Sequence, residues 1–221
     1  MTGSQERYST KSEFAYICLR DKIVSHEFAP GETLNQAVIA RDLGISTTPL
    51  REALRRLKSE GLVELDAHRD ARVTMLSAEE ARDLVEIRLG LDPLAASLAA
   101  ERRSKEDIIE MRAAAELGAL PDRPSVADLA AHRRFHRAIY HASHNEILIS
   151  TLDALWDKAD RYRLVGLQDR PDRPERDDTV DEHRQLLDFV IAGDGDAAAE
   201  VMVRHIRGSL GARATSRLAR G

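Results

Sequence analysis

One cysteine, Cys18, occurs in 221 residues, so no internal disulfide can form. That fits a reducing compartment, and the cytoplasm is the expected location. Cys18 falls on the apolar side of a helical pattern and is expected to be a buried structural thiol. No run approaches the ~18 apolar residues that a spanning helix needs, and no signal peptide is found, so no membrane partner is expected. Aromatic residues make up only 4%. Alanine, leucine, arginine and glutamate are common instead, which favours helix. An excess of positive charge is missing as well, since the net charge is −5. Residues 1–76 balance 11 basic against 11 acidic side chains, and the acidic excess lies beyond them. A nonspecific nucleic-acid binder would be basic overall, so any DNA contact here must come from a local patch. Enzyme signatures are absent too: there is no Gly-x-Ser-x-Gly elbow, no glycine-rich phosphate loop and no Cys/His nucleophile pair.

What is present is concentrated in residues 34–73. Leu34 to Leu43 reads as a short helix, and Gly44 stands where a tight turn needs positive φ. Ser46 is placed to cap a second helix, with Pro49 in its first turn, where a missing N–H costs little. Leu50, Ala53, Leu54 and Leu57 are spaced to pack inward. Arg51, Arg55 and Lys58 recur at i, i+4, i+7 on another side. A helix with an apolar back and an arginine-bearing front suits a DNA major groove. Gly61 ends it, and Leu62-Val63 and Arg72 to Met75 read as two short strands with His68-Arg69-Asp70 at their tip. Upstream, Phe14, Ile17, Cys18 and Ile23 mark a first helix to about Ser25.

From Ser77 onward the pattern is helical. Ser77-Ala78-Glu79-Glu80 forms a capping box that opens a helix to about Arg103, with Leu84, Ile87, Leu91, Leu94 and Leu98 as its apolar stripe and Pro93 inside. Further helices are expected from Ser104 to Leu117, Ser125 to Ser143, Glu146 to Leu167, from a second capping box at Thr179 to Gly193, and from Asp196 to Leu210. The expected fold is mainly α. Residues 1–12 form a flexible N-terminus, 13–76 a winged helix-turn-helix with a small β-wing, 77–210 an all-α bundle, and 211–221 a flexible basic tail.

Four of the eight histidines are candidate ligands. His132 and His136 lie at i, i+4, on one helix face, where two imidazoles can share a metal. His183 and His205 lie on later helices. By spacing alone each is as well read as a hydrogen-bonded structural histidine. A zinc protease is excluded as a reading of the pair, because the position of its glutamate base is Arg133. Asp128, one turn before His132, is a candidate outer partner. His141 and His144 read as surface residues. Arg88 lies among apolar residues, so burying it needs a carboxylate partner, Asp92 or another acid. Trp156, Arg161 and Tyr162 share a helix that either lines a pocket or, for Trp156, fills the core.

The run Gly44-Ile45-Ser46-Thr47-Thr48-Pro49-Leu50-Arg51-Glu52-Ala53-Leu54-Arg55-Arg56-Leu57, followed by Glu60-Gly61-Leu62-Val63, resembles the winged helix-turn-helix of the GntR family of bacterial transcription regulators. Glu86-Ile87-Arg88 with Leu91-Asp92, Phe135-His136-Arg137-Ala138-Ile139, Glu182-His183 and Arg204-His205-Ile206 resemble the ligand-binding FCD domain of its FadR subfamily. The resemblance implies a DNA-binding regulator, a repressor, that works as a homodimer on double-stranded operator DNA. It implies DNA contacts from Arg41, Ser46, Thr47, Thr48, Arg51, Arg55, His68 and Arg69. It also implies a divalent metal at His136, His183 and His205, with His132 where the family holds an aspartate. A small carboxylate effector would sit near Arg88 and Arg161. Four neutral imidazoles favour zinc or nickel over manganese or magnesium. A metalloenzyme and a helical adaptor for protein contacts are the competing classes.

Overall fold

The computed structural model describes residues 10–65, 70–117, 126–168 and 175–220. The chain divides into two compact units, Met1–Leu76 and Ser77–Gly221. In the first unit, α1 (Lys11–Val24) starts from Thr10, whose hydroxyl accepts the Glu13 N–H. Residues 10–12 thus belong to a capped helix, not to the expected flexible N-terminus. The face α1 buries is Ala15, Tyr16, Leu19 and Ile23. Cys18 sits at the margin of that face and is only half-buried, so the expected fully buried thiol is corrected. Partial burial, then the nearby Asp21, pushes its pKa up.

Strand β1 (Thr33–Leu34) leads into α2 (Gln36–Leu43). Asn35 caps α2 by accepting the Val38 N–H at 3.0 Å. Gly44 ends it at φ +66°, a backbone that side-chain-bearing residues rarely adopt. Helix α3 (Thr47–Ser59) follows and buries Leu50, Ala53, Leu54 and Leu57 as the sequence pattern requires. Strands β2 (Val63–Leu65) and β3 (Ala71–Val73) complete an antiparallel sheet in the order β1-β3-β2, with Val63 opposite Val73 and Leu34 opposite Ala71. Strand β1 escaped the sequence reading because two residues carry no alternation to detect. The expected wing-tip residues His68 and Arg69 lie outside the described residues.

The second unit is helical throughout its described residues: α4 (Ala78–Arg102), α5 (Lys105–Leu117), α6 (Val126–Ala142), α7 (Glu146–Gln168), α8 (Glu175–Ala192), α9 (Gly195–Arg207) and α10 (Leu210–Leu218). Helix α4 packs against α6, α7, α8, α9 and α10. Of the expected apolar stripe, Leu84 is buried and Leu91 and Leu98 pack on the core, but the buried face is mostly alanine. Ile87 and Leu94 are each 46% exposed, while Ala81, Leu84, Arg88, Asp92, Ala95, Ala96, Ala99 and Ala100 are buried. Alanines win that face because neighbouring backbones come close: a Cβ placed on Gly195 of α9 would lie 2.8 Å from Ser97 Oγ.

Only half of the first capping box forms. Ser77 accepts the Glu80 N–H at 3.0 Å. The Ser77 N–H, however, donates to Tyr162 Oη of α7 at 3.3 Å, and the Glu80 carboxylate turns to Lys158 and Tyr162. The second box at Thr179 does not start a helix, because α8 already runs from Glu175. The expected flexible tail at 211–221 is largely helix: α10 is capped by Ser209, buries Ala214 and packs on α4 and α7. No helix among the described residues is long and apolar enough to cross a membrane.

Candidate functional sites: an arginine face and a histidine cluster

The first site is the outer face of α3. With Leu50, Ala53, Leu54 and Leu57 fixed in the core, Thr47, Thr48, Arg51 and Arg55 are left exposed. Ser46 takes the extended N-cap conformation, yet its hydroxyl makes no capping bond. Arg51 is braced from α2, its Nε donating to Gln36 Oε1 at 3.3 Å. Arg41 is exposed beside Asp42, 3.4 Å away. An exposed helix front of arginines and hydroxyls over a rigid apolar back can enter a groove and donate hydrogen bonds to base edges and phosphates.

The second site lies inside the helical unit, where three helices converge. Helix α6 supplies His132 and His136, α8 supplies His183, and α9 supplies His205. One ring nitrogen from each lies within 4.8 Å of the others. His136 Nε2 is 3.1 Å from His205 Nε2, which is 3.4 Å from His183 Nε2. His132 stacks beside them, its ring 4.6 Å from that of His136. His132, His136 and His205 are buried, and His183 closes the cluster from its more open side.

Burial holds His132, His136 and His183 well below the usual imidazole range, so these rings are neutral at pH 7. Arg163 reinforces the effect at His132, and His205 does so at His136 and His183. Neutral imidazoles with facing lone pairs are the protonation state that a metal ligand requires. The Nδ1 atoms of His132 and His136 are buried with no hydrogen-bond partner. This donor set fits zinc or nickel.

Around the cluster lies a buried charged framework. The Arg88 guanidinium donates to Asp92 Oδ2 at 2.6 and 3.1 Å, and Tyr140 Oη donates to the same oxygen at 2.8 Å. Of the two partners open to Arg88, the internal one is therefore engaged. Burial opposes the charge on Arg88, but Asp92 more than offsets it and raises the pKa. Trp156 of α7 is in the core and also beside the cluster: its ring is 5.4 Å from His136, 4.6 Å from the Arg88 guanidinium and 5.1 Å from that of Arg163. Asp160 pairs with Arg163 at 3.0 Å, and burial raises its pKa despite that partner and Arg133.

Arg161 lies on the same helix. It is buried, which lowers its pKa, and the charges that oppose this are Tyr162 and Glu80. The arginine whose charge reaches His132, His136 and His183 is Arg163. A signal for this was available: Trp156 and Arg163 are seven residues apart and share a helix face, whereas Arg161 does not. Asp128 is not among the grouped ligands. His141 is exposed, and His144, also exposed, pairs with Asp107 at 2.8 Å.

Comparison with known proteins gives two matching families. Residues 11–73 match the gntR family of bacterial regulatory proteins, and residues 83–208 match the FCD domain. A probable D-xylose utilization operon transcriptional repressor of Paenarthrobacter nicotinovorans is 32% identical over 189 residues, which is 84% of this chain and 81% of that protein. The HTH-type transcriptional repressor GlaR of Escherichia coli is 28% identical over 86% of this chain and 90% of its own length. Among solved structures, E. coli McbR/YncC superposes with a TM-score of 0.76 at 22% identity, covering 90% of this chain and 95% of that one, a likeness of fold.

Proposed function

The chain belongs to the GntR family of bacterial transcription regulators, with an FCD domain behind its winged helix, and from this premise we propose that it is a metal-dependent, effector-responsive repressor. That it is a DNA-binding transcriptional regulator follows from the family and from relatives that are regulators, not enzymes. The proposal concerns how it is controlled. The observation that carries it is the convergence of one ring nitrogen from each of four buried histidines within 4.8 Å.

Operator DNA is read by Arg51, with Ser46, Thr47, Thr48 and Arg55 around it and Arg41, His68 and Arg69 toward phosphates. One recognition helix spans only a few base pairs, so a homodimer on a palindromic site is the natural unit. His132, His136, His183 and His205 hold one divalent ion, zinc or nickel. The ion supplies fixed positive charge for an anion. Arg88 and Arg163, both against Trp156, add two guanidinium groups to the same neighbourhood, which suits a small carboxylate. Arg161, also buried on α7, stays with them as a candidate for the same carboxylate. The helical unit begins at Ser77, next in the chain to Leu76 of the DNA unit, so a ligand that prefers one arrangement of α4 changes operator affinity through the backbone. Repression is the direction adopted here, in line with the names of the two relatives.

The test is a binding titration of tag-free protein on DNA from its own promoter, before and after chelation and after zinc is restored. Operator affinity, or its response to added carboxylates, should change several-fold on chelation and return with zinc. Metal analysis should find about one ion per chain. Less than about a tenth of an ion after supplementation would refute the metal.

A further inference from the structure

We propose that Glu182 is a positioning residue for this metal site: it fixes His205 in its ligating tautomer and supplies the negative charge that four imidazoles lack. The inference rests on the metal reading above. Glu182 Oε2 lies 3.1 Å from His205 Nδ1. A carboxylate only accepts hydrogen bonds, so the proton of the ring is held on Nδ1 and the lone pair is left on Nε2. That Nε2 is the atom 3.1 Å from His136 Nε2 and 3.4 Å from His183 Nε2. The free lone pair therefore faces the other donors. Glu182 and His183 are neighbours on α8, one acting on the site directly and the other through α9.

Other carboxylates near the cluster are committed elsewhere. Asp92 is held by Arg88 and Tyr140, and Asp157 and Asp160 by Arg133, with Arg163 also on Asp160. Among the described residues, Glu182 is the carboxylate bonded to a histidine of the cluster. The need for it is electrostatic. Arg88 and Arg163 are matched by Asp92 and Asp160, so those carboxylates are not free to offset a dication in the cluster. A carboxylate one ring away from the ion offsets that charge and makes His205 a more basic ligand.

Zinc affinity of the full-length, tag-free chain, measured by competition with a chromophoric chelator, tests the assignment. Glu182→Ala should weaken zinc binding roughly 10- to 100-fold. Glu182→Gln keeps an acceptor oxygen for Nδ1–H but removes the charge, so its affinity should fall between wild type and Glu182→Ala. The visible spectrum of the cobalt(II) form should match wild type in Glu182→Gln and change in Glu182→Ala. Affinities within about twofold of wild type in both variants, with unchanged cobalt spectra, overturn the assignment and leave the metal site standing. So does a drop in affinity matched by an equal loss of stability in the metal-free protein. A wild type that takes up no zinc overturns the metal reading and this inference together.

Discussion

The two units solve opposite problems with arginine. In Met1–Leu76 the core is apolar, from Ala15 and Leu19 through Leu50, Leu54 and Leu57 to Val73, and no charged residue is buried among the described ones. Its arginines stand outside, on α3. In Ser77–Gly221 the core encloses Arg88, Asp92, Asp157, Asp160, Arg161 and Arg163 together with three histidines. An apolar core is the cheaper way to hold a recognition helix rigid. Buried charges cost desolvation and need matched partners, so a unit that keeps so many is organised for more than stability. The contrast matches the proposal that DNA is contacted by a surface and the effector is sensed in an interior.

The comparison breaks most visibly at Asp92. Asp92→Ala leaves Arg88 buried without its carboxylate and should cost about 3–5 kcal/mol in denaturant melts of the full chain. The double change Arg88→Met with Asp92→Leu should recover most of that loss, since it removes both charges together. A single variant as stable as wild type would mean that water reaches the pair and that the interior is not dry.

Acid sharpens the comparison next. In the unfolded chain an imidazole titrates near ~6.5, whereas His132, His136 and His183 titrate well below that in the folded state. Between those values the unfolded chain binds more protons, so stability is complete above about pH 6.5 and falls as pH drops below it. Three groups should together cost roughly 2–4 kcal/mol between about pH 6.5 and 5.5 in metal-free protein. A melting temperature flat across that interval would show that the cluster is already open to water.

Arg51→Ala tests the outward-facing unit. Operator affinity should fall by about 1–3 kcal/mol, or roughly 5- to 150-fold, with base preference relaxed. Stability should stay within about 0.5 kcal/mol, because the side chain is exposed. Unchanged affinity in a folded variant would remove Arg51 from the interface. The smallest effect expected is that of Tyr162→Phe. It deletes the bonds to Glu80 and from the Ser77 N–H at the start of α4, and should cost about 0.5–1.5 kcal/mol. A cost near zero would mean that Lys158 and water hold that helix start unaided.

The helix-turn-helix was legible because its determinants are local. Gly44 at φ +66° and the four buried positions of α3 follow from single-residue conformational preference and from the 3.6-residue period. The four histidines were nameable from spacing and resemblance, and the fold brings them together. The buried face of α4 was not legible, because burial there is decided by how closely α9 approaches, not by which residues are most apolar. Ile87 and Leu94 outrank alanine in hydrophobicity and are still left outside. Helix α10 was missed for a related reason, its buried residue being an alanine.

By itself the sequence determined the order of helices, the turn at Gly44, the apolar back of α3 and the identity of the candidate ligands. The first three depend on residues within a few positions of one another, where backbone sterics and periodicity act alone, whereas the ligands also needed the family resemblance. Only the tertiary structure brought the charge of Arg163 to bear on the histidines. It also engaged Arg88 with Asp92 and set Glu182 against His205. Those outcomes depend on which faces of α6, α7, α8 and α9 meet, and burial changes the free energy of a charge by more than any local preference can.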